Sequence, residues 1–152
     1  EQCEIAVRYV RNDAKDKRQT IKSRVKPAGL VIFSDAGGIV LILQQLLDNA
    51  VRFTPEGGCI GVEVSYAADE ESVHLVVWDT GPGIAAEQQA TIFDPFVQGD
   101  IRLMLMQHGE GVGLGLAYVQ QMVESLGGRI TLKSTPDEGS RFTVILPTTV
   151  RR

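Results

Sequence analysis

Between Ile39 and Phe53 the chain is mostly Leu, Ile, Val and Ala, and four of its five polar residues, Gln45, Asp48, Asn49 and Arg52, recur at i, i+3, i+4 and i+7. That spacing sets them in a single stripe on one long helix, buried except along that face. Asp35 reads as the helix start, and Thr54-Pro55 followed by Gly57-Gly58 as its end. Upstream, Cys3, Val7, Val10 and Ala14 return at helical spacing among charges, which predicts an amphipathic helix from about Cys3 to Arg18. Ile21 to Val25 alternates apolar and polar residues as a half-buried strand does. Pro27 and Gly29 break it, and Val31-Ile32-Phe33 reads as a short apolar strand leading into the central helix.

Two more strand patterns, Ile60 to Tyr66 and Val73 to Trp78, flank the acidic turn Asp69-Glu70-Glu71 and predict a hairpin. Val73 to Trp78 is apolar at nearly every position, as in an interior strand covered on both faces, and His74 inside it reads as a hydrogen-bonded core histidine. A short helical patch around Ala86 to Thr91 follows, and Val97 to Glu110 shows no regular pattern. Glycines at 109, 111, 113 and 115 lead into a helix running to about Leu126 and closed by Gly127-Gly128. Strands Arg129 to Ser134 and Ser140 to Leu146 flank a Thr135 to Gly139 turn. The expected fold class is α+β: a two-layer sandwich with a mixed, mostly antiparallel sheet of about five strands and the helices on one face.

Composition narrows this picture without changing it. The 152 residues, 43% of them hydrophobic, suit one domain spanning 1–152 with a core of its own. No apolar run has the length of a membrane span. Cys3 and Cys59 make no disulfide framework and no zinc spacing, which fits a reducing, cytoplasmic setting. The net charge of -4 hides eight Lys or Arg against four Asp or Glu up to Lys26, leaving seven against fifteen beyond. The basic residues of that opening are interleaved with acids, the pattern of a solvated face and not of a nucleic-acid partner.

Two Gly-rich stretches are candidates for chemistry. Asp79 ends a buried strand just before Gly81 and Gly83, where a carboxylate can accept a hydrogen bond from the exocyclic amine of adenine and would repel the carbonyl of guanine. Taken alone, Asp79-Thr80-Gly81 reads more readily as an ordinary turn. The run Gly109 to Leu116 opens a helix whose free N–H groups and dipole favour phosphate. A dinucleotide-binding motif would need a strand directly before the glycines, and the Gly-Lys-Ser/Thr ending of a phosphate loop is absent. On the central helix, the Asn49 carbonyl suits a hard cation such as Mg²⁺ and Arg52 a phosphate, although the stripe alone reads as a solvated face.

The order of these pieces is more specific than any one of them. Leu46 to Thr54, Asp79 to Ile84, Phe93 to Phe96 and Gly111 to Leu116 resemble the N, G1, F and G2 boxes of the catalytic, ATP-binding domain of bacterial sensor histidine kinases. Gly139 to Pro147 resembles that family's closing strand. The superfamily includes DNA gyrase, a heat-shock chaperone and the MutL repair proteins, and the resemblance, which runs through essentially the whole chain, implies its Bergerat-type ATPase fold. It further implies that Asn49 coordinates Mg²⁺, with Gln45 one turn before it, that Arg52 contacts phosphate and that Phe53 lies against adenine. Asp79 would bind the adenine amine, with Gly81, Gly83 and Ile84 around the base. Gly111, Gly113, Leu114, Gly115 and Leu116 would wrap the phosphates, and Val97 to Glu110 would be the lid.

The resemblance implies ATP and Mg²⁺ as cofactors and a phosphoacceptor histidine on a separate helical dimerisation domain, in a homodimeric parent protein that serves a response regulator. His74 and His108 do not stand in a phosphoacceptor context. Two departures bear on the activity. Gln45 stands where the family commonly has a second Asn and gyrase-like relatives a Glu that activates water. Ile101, Leu103, Met104, Leu105 and Met106 make the lid apolar, suited either to docking against another domain or to folding over its own pocket. The alternative function is a nucleotide-sensing or scaffolding module without phosphotransfer. An anti-sigma-factor serine kinase of the same superfamily fits the Phe93 to Phe96 and Gly139 to Pro147 segments less well.

Overall fold

Ala6, Val7, Val10 and Ala14 fall on one side of helix α1, Gln2–Asp16, and all four are buried. α1 leads through a tight corner into strand β1, Thr20–Lys26. Helix α2, Ala36–Phe53, follows, then the hairpin of β2, Cys59–Ala67, and β3, Ser72–Asp79. The one-turn helix α3, Ala86–Gln89, precedes helix α4, Val112–Ser125, and strands β4, Arg129–Thr135, and β5, Gly139–Pro147. This computed structural model describes residues 2–26, 36–67, 70–89, 92–93 and 112–147. The expected Asp35 helix start, the Val31 to Phe33 strand, Thr91 of the helical patch, Asp94 to Phe96 and the Val97 to Glu110 lid lie outside those residues.

The five strands form one sheet in the order β1-β2-β3-β5-β4. β1 runs parallel to β2, and the other pairs are antiparallel. A parallel pair needs a crossover between its strands, which the segment carrying α2 provides. Along β3, Val73, Leu75 and Val77 point to the helical side, beside Ile60, Val62, Phe142, Val144 and Leu146 of the neighbouring strands. α2 is the middle helix of the second layer, packed on β2 and β3, with α1 on one flank and α4 on the other. Ile42, Leu43, Leu46 and Leu47 of α2 are almost wholly buried against this sheet. The result is the expected two-layer α+β sandwich.

The other face of β3 departs from expectation. The helices pack on the opposite side, and Val76 is buried by its neighbours within the sheet. The Trp78 ring lies over Gly61 so closely that a Cβ there would overlap it, so a flat aromatic does what a second layer of structure would otherwise do. His74 shares this face and is not in the core. Its side chain is 28% exposed, and Nε2 stands 3.2 Å from Glu70 Oε2. An unbroken apolar run in this strand thus reflects a central position in the sheet and not two covering layers.

Candidate nucleotide site

α2 ends at Phe53, and the Asp79 end of β3 lies against it. A Cβ on Gly81 would come within 3.1 Å of the Phe53 carbonyl oxygen and 2.9 Å of Asp79 Oδ1, so only glycine lets the two segments approach this closely. Thr80 ties the same corner to β2: its Oγ1 accepts from Cys59 N at 3.0 Å, and its N–H donates to Cys59 O at 3.0 Å. The fold thus brings Phe53, at the end of the helix that bears Arg52, beside Asp79 and Gly81, roughly thirty positions away in sequence.

On α2 the predicted stripe is real. Gln45, Asp48, Asn49, Arg52 and Phe53 are half-buried while Leu46, Leu47, Ala50 and Val51 are buried. Arg52 Nε lies 3.1 Å from Asp48 Oδ2, an i,i+4 pair worth a few tenths of a kcal/mol, roughly, at a partly exposed helix surface. Asp48 therefore steadies the guanidinium. The sequence reading gave it a place on the stripe but no role, although the i,i+4 spacing carried the signal.

Asp79 Oδ1 accepts a 2.8 Å hydrogen bond from Gly81 N–H, and a backbone N–H of Ser140 also donates to the carboxylate. Burial raises its pKa above the ordinary carboxylate value, and these two donors act in the opposite direction. An ionised carboxylate offers about four acceptor positions, so two stay available after the backbone is served. The carboxylate that closes the turn thus keeps acceptor positions open beside it.

Gly83 and Ile84 are engaged by protein. Gly83 adopts φ 75, and a Cβ there would strike the Thr135 carbonyl, so β4 and not a ligand explains the glycine. Ile84 N–H donates to Ser134 Oγ at 2.7 Å, and Ser134 Oγ donates in turn to Gly139 O at 2.8 Å. Gln89 Nε2 reaches Ile84 O at 2.7 Å and Ser134 O at 3.1 Å, and Asp137 N–H donates to Pro82 O at 2.6 Å. Ser134 is the hub of this lattice, and the sequence reading passed over it. Its signal was a polar residue on the inward-facing Ile130, Leu132 register of β4.

Of the second Gly-rich run, Gly111 lies outside the described residues. Gly113, Leu114 and Gly115 fall within the first turns of α4, where a helix leaves N–H groups without intrahelical partners. Leu116 points into the core and is 4% exposed, so only its backbone can face a ligand. Phe93, the first residue of the third box, packs edge-on to Phe142 with ring centroids 6.1 Å apart.

Comparisons with known proteins agree with this arrangement. Residues 34–150 match the family described as histidine kinase-, DNA gyrase B- and HSP90-like ATPase. Sensor histidine kinase AtsR of Burkholderia thailandensis is 34% identical over 91% of this chain and 23% of its own length. Adaptive-response sensory kinase SasA of Rippkaea orientalis is 33% identical over 95% of this chain and 36% of its own. The chain thus spans about a quarter to a third of these relatives. Full-length ShkA in complex with AMPPNP superposes with a TM-score of 0.84 and 31% identity, over 99% of this chain and 30% of ShkA. The nucleotide-free catalytic domain of histidine kinase ThkA gives 0.83 at 24% identity over 98% of this chain and 91% of its own, a likeness of fold. With the family match running from ahead of α2 to beyond β5, the chain belongs to the histidine kinase-, DNA gyrase B- and HSP90-like ATPases.

Proposed function

We propose that this chain is the catalytic domain of a sensor histidine kinase: it binds ATP with Mg²⁺ and transfers the γ-phosphoryl group to a histidine on a separate helical dimerisation domain. The observation that carries the reading is Asp79, a partly buried carboxylate at a strand end, served by two backbone donors and facing the end of α2 that bears Arg52. The acceptor positions left on Asp79 take the C6 amine of adenine, and the same carboxylate repels the carbonyl of guanine. Arg52 exchanges part of its pairing with Asp48 for a phosphate oxygen, a stronger bidentate partner. The open N–H groups of α4's first turn draw the rest of the triphosphate.

Among the described residues no cluster of His, Cys, Asp and Glu is arranged to hold a metal. The amide oxygens of Asn49 and Gln45, one turn apart on the half-buried stripe, fit a hard cation that keeps some of its water, and they would hold Mg²⁺. When bound, it supplies charge neutralisation to the phosphates. The chain's own contribution is positioning: the N–P bond to imidazole forms as the bond to the ADP oxygen breaks, with Arg52 and the α4 backbone facing the charge that moves onto ADP.

The parent is a homodimer acting in the cytoplasm, and its phosphohistidine feeds a response regulator. None of the described helices is long and apolar enough to cross a membrane. Incubating the chain with a histidine-bearing helical dimerisation domain and γ-labelled ATP tests the reading. An acid-labile, alkali-stable label on the helical domain supports it. Nucleotide binding without any label favours the sensing module, for which Gln45 in place of a second Asn is the motive.

A further inference from the structure

The corner between α1 and β1 reaches into the site from outside. Arg18 adopts φ 52, its N–H donates to Lys15 O at 3.0 Å, and Gln19 N–H donates to Ala14 O at 2.9 Å. This closure of α1 directs Lys17 and Gln19 toward the last turn of α2. Lys17 Nζ donates to the carbonyls of Val51 at 2.8 Å and Arg52 at 3.1 Å. Gln19 Nε2 donates to those of Val51 at 3.0 Å and Thr54 at 2.6 Å. Gly57 N–H donates back to Lys17 O at 3.0 Å and Thr20 N–H to Gly58 O at 3.0 Å, closing a belt around the helix end.

A helix end leaves its last carbonyls without internal partners, and they are commonly served by the chain immediately after the helix. Here two of them, Val51 and Arg52, and the carbonyl of Thr54 just past the end are served by side chains more than thirty residues earlier. The Lys17 ammonium sits at the negative end of the helix dipole. Burial lowers its pKa, and among the described ion pairs it has no carboxylate partner, so carbonyl dipoles alone hold it. The carbonyls it grips belong to the backbone from which Arg52 projects. Asp79 takes its support elsewhere, from Gly81 and Ser140.

We propose that Lys17 and Gln19 are positioning residues for nucleotide binding: by holding the Val51, Arg52 and Thr54 carbonyls they fix the turn that aims Arg52, and so set the phosphate half of the pocket more than the adenine half, which Phe53 joins from the same turn but Asp79 anchors through its own donors. The proposal rests on the nucleotide reading above and adds residues from outside the family's motif boxes. Calorimetric titration with ATP and with adenosine, on the wild type and on Lys17→Met, Gln19→Leu and Lys17→Arg, tests it, with thermal melts run alongside. ATP affinity falls about tenfold in the Met and Leu variants while adenosine affinity stays within about twofold, because the lost donors misplace the phosphate contact and leave Asp79 in place. Lys17→Arg restores ATP affinity, since a guanidinium also donates to carbonyls.

A merely structural corner lowers the melting temperature and leaves the ATP-to-adenosine ratio alone. An unchanged ratio in Met and Leu variants that melt cooperatively overturns the proposal. Should Lys17→Met lose its cooperative melt, Gln19→Leu alone is read against the same criterion. A wild type that binds neither compound defeats the nucleotide reading itself, which is a distinct result.

Discussion

Replacing Asp79 by Asn changes one oxygen for an amino group and almost nothing in volume, so its effects separate ligand reading from folding. In the free protein an Asn has one carbonyl oxygen to serve both Gly81 N–H, now at 2.8 Å from Asp79 Oδ1, and Ser140 N–H, so at most one backbone donor loses its acceptor. One lost backbone acceptor costs about 1–3 kcal/mol, offset in part because a neutral amide escapes the desolvation that raises the Asp79 pKa. The melt therefore stays cooperative and shifts by only a few degrees. Nucleotide binding loses more, since a hydrogen bond to a charged acceptor is worth about 1.5–3 kcal/mol, or roughly 10- to 150-fold in affinity. The amide also donates where the carboxylate could only accept, so GTP gains relative to ATP.

The direction of the pKa shift adds a pH signature. The folded Asp79 holds its proton to a higher pH than the unfolded chain does, so this group favours the folded state most below the ordinary carboxylate pKa. That contribution is lost as pH rises through the window up to the raised value. Adenine binding needs the ionised form. ATP affinity of the wild type accordingly falls as pH is lowered into that window, and the Asn variant lacks that component. Calorimetry with ATP and GTP across acid to neutral pH measures both effects. An Asn variant with a wild-type melt, wild-type ATP affinity and the same pH dependence would refute the assignment of adenine to Asp79.

Other substitutions probe the rest of the site. Asn49→Ala removes the Mg²⁺ dependence of ATP binding, measured by titrations with Mg²⁺ and with a chelator; persisting dependence moves the cation elsewhere. Gly83→Ala forces a side chain onto φ 75 and into the Thr135 carbonyl, and destabilises by about 2 kcal/mol or more in denaturant titrations. Ser134→Ala strands the Ile84 N–H and costs about 1–3 kcal/mol, with weaker nucleotide binding because the loop after Asp79 is released.

The helices and strands were legible because their patterns are local. Gln45 to Arg52 announces one helix face by spacing alone, and Cys59 to Ala67 and Ser72 to Asp79 declare a hairpin by two apolar runs about a short acidic turn. Which strands run parallel was not legible, since β1 finds β2 only after the chain has made α2. The motif boxes located Asp79 and Arg52, but not the groups that hold them. Ser140, Lys17 and Gln19 act through a few hydrogen bonds over long sequence separations, and nothing periodic marks them. At Gly83 the close pass of the Thr135 carbonyl could not be foreseen, because a sequence shows that a side chain is missing and not what fills the gap.

The last strand in the sequence is not at the edge of the sheet. β5 threads between β3 and β4, and its Ser140 completes the shell around Asp79. A nascent chain that has left the ribosome as far as β4 therefore has a raw margin on β3 and an acid lacking its second donor. Competence for ligand therefore arrives with β5 and not gradually, so any cut inside that strand abolishes it together with the sheet's continuity.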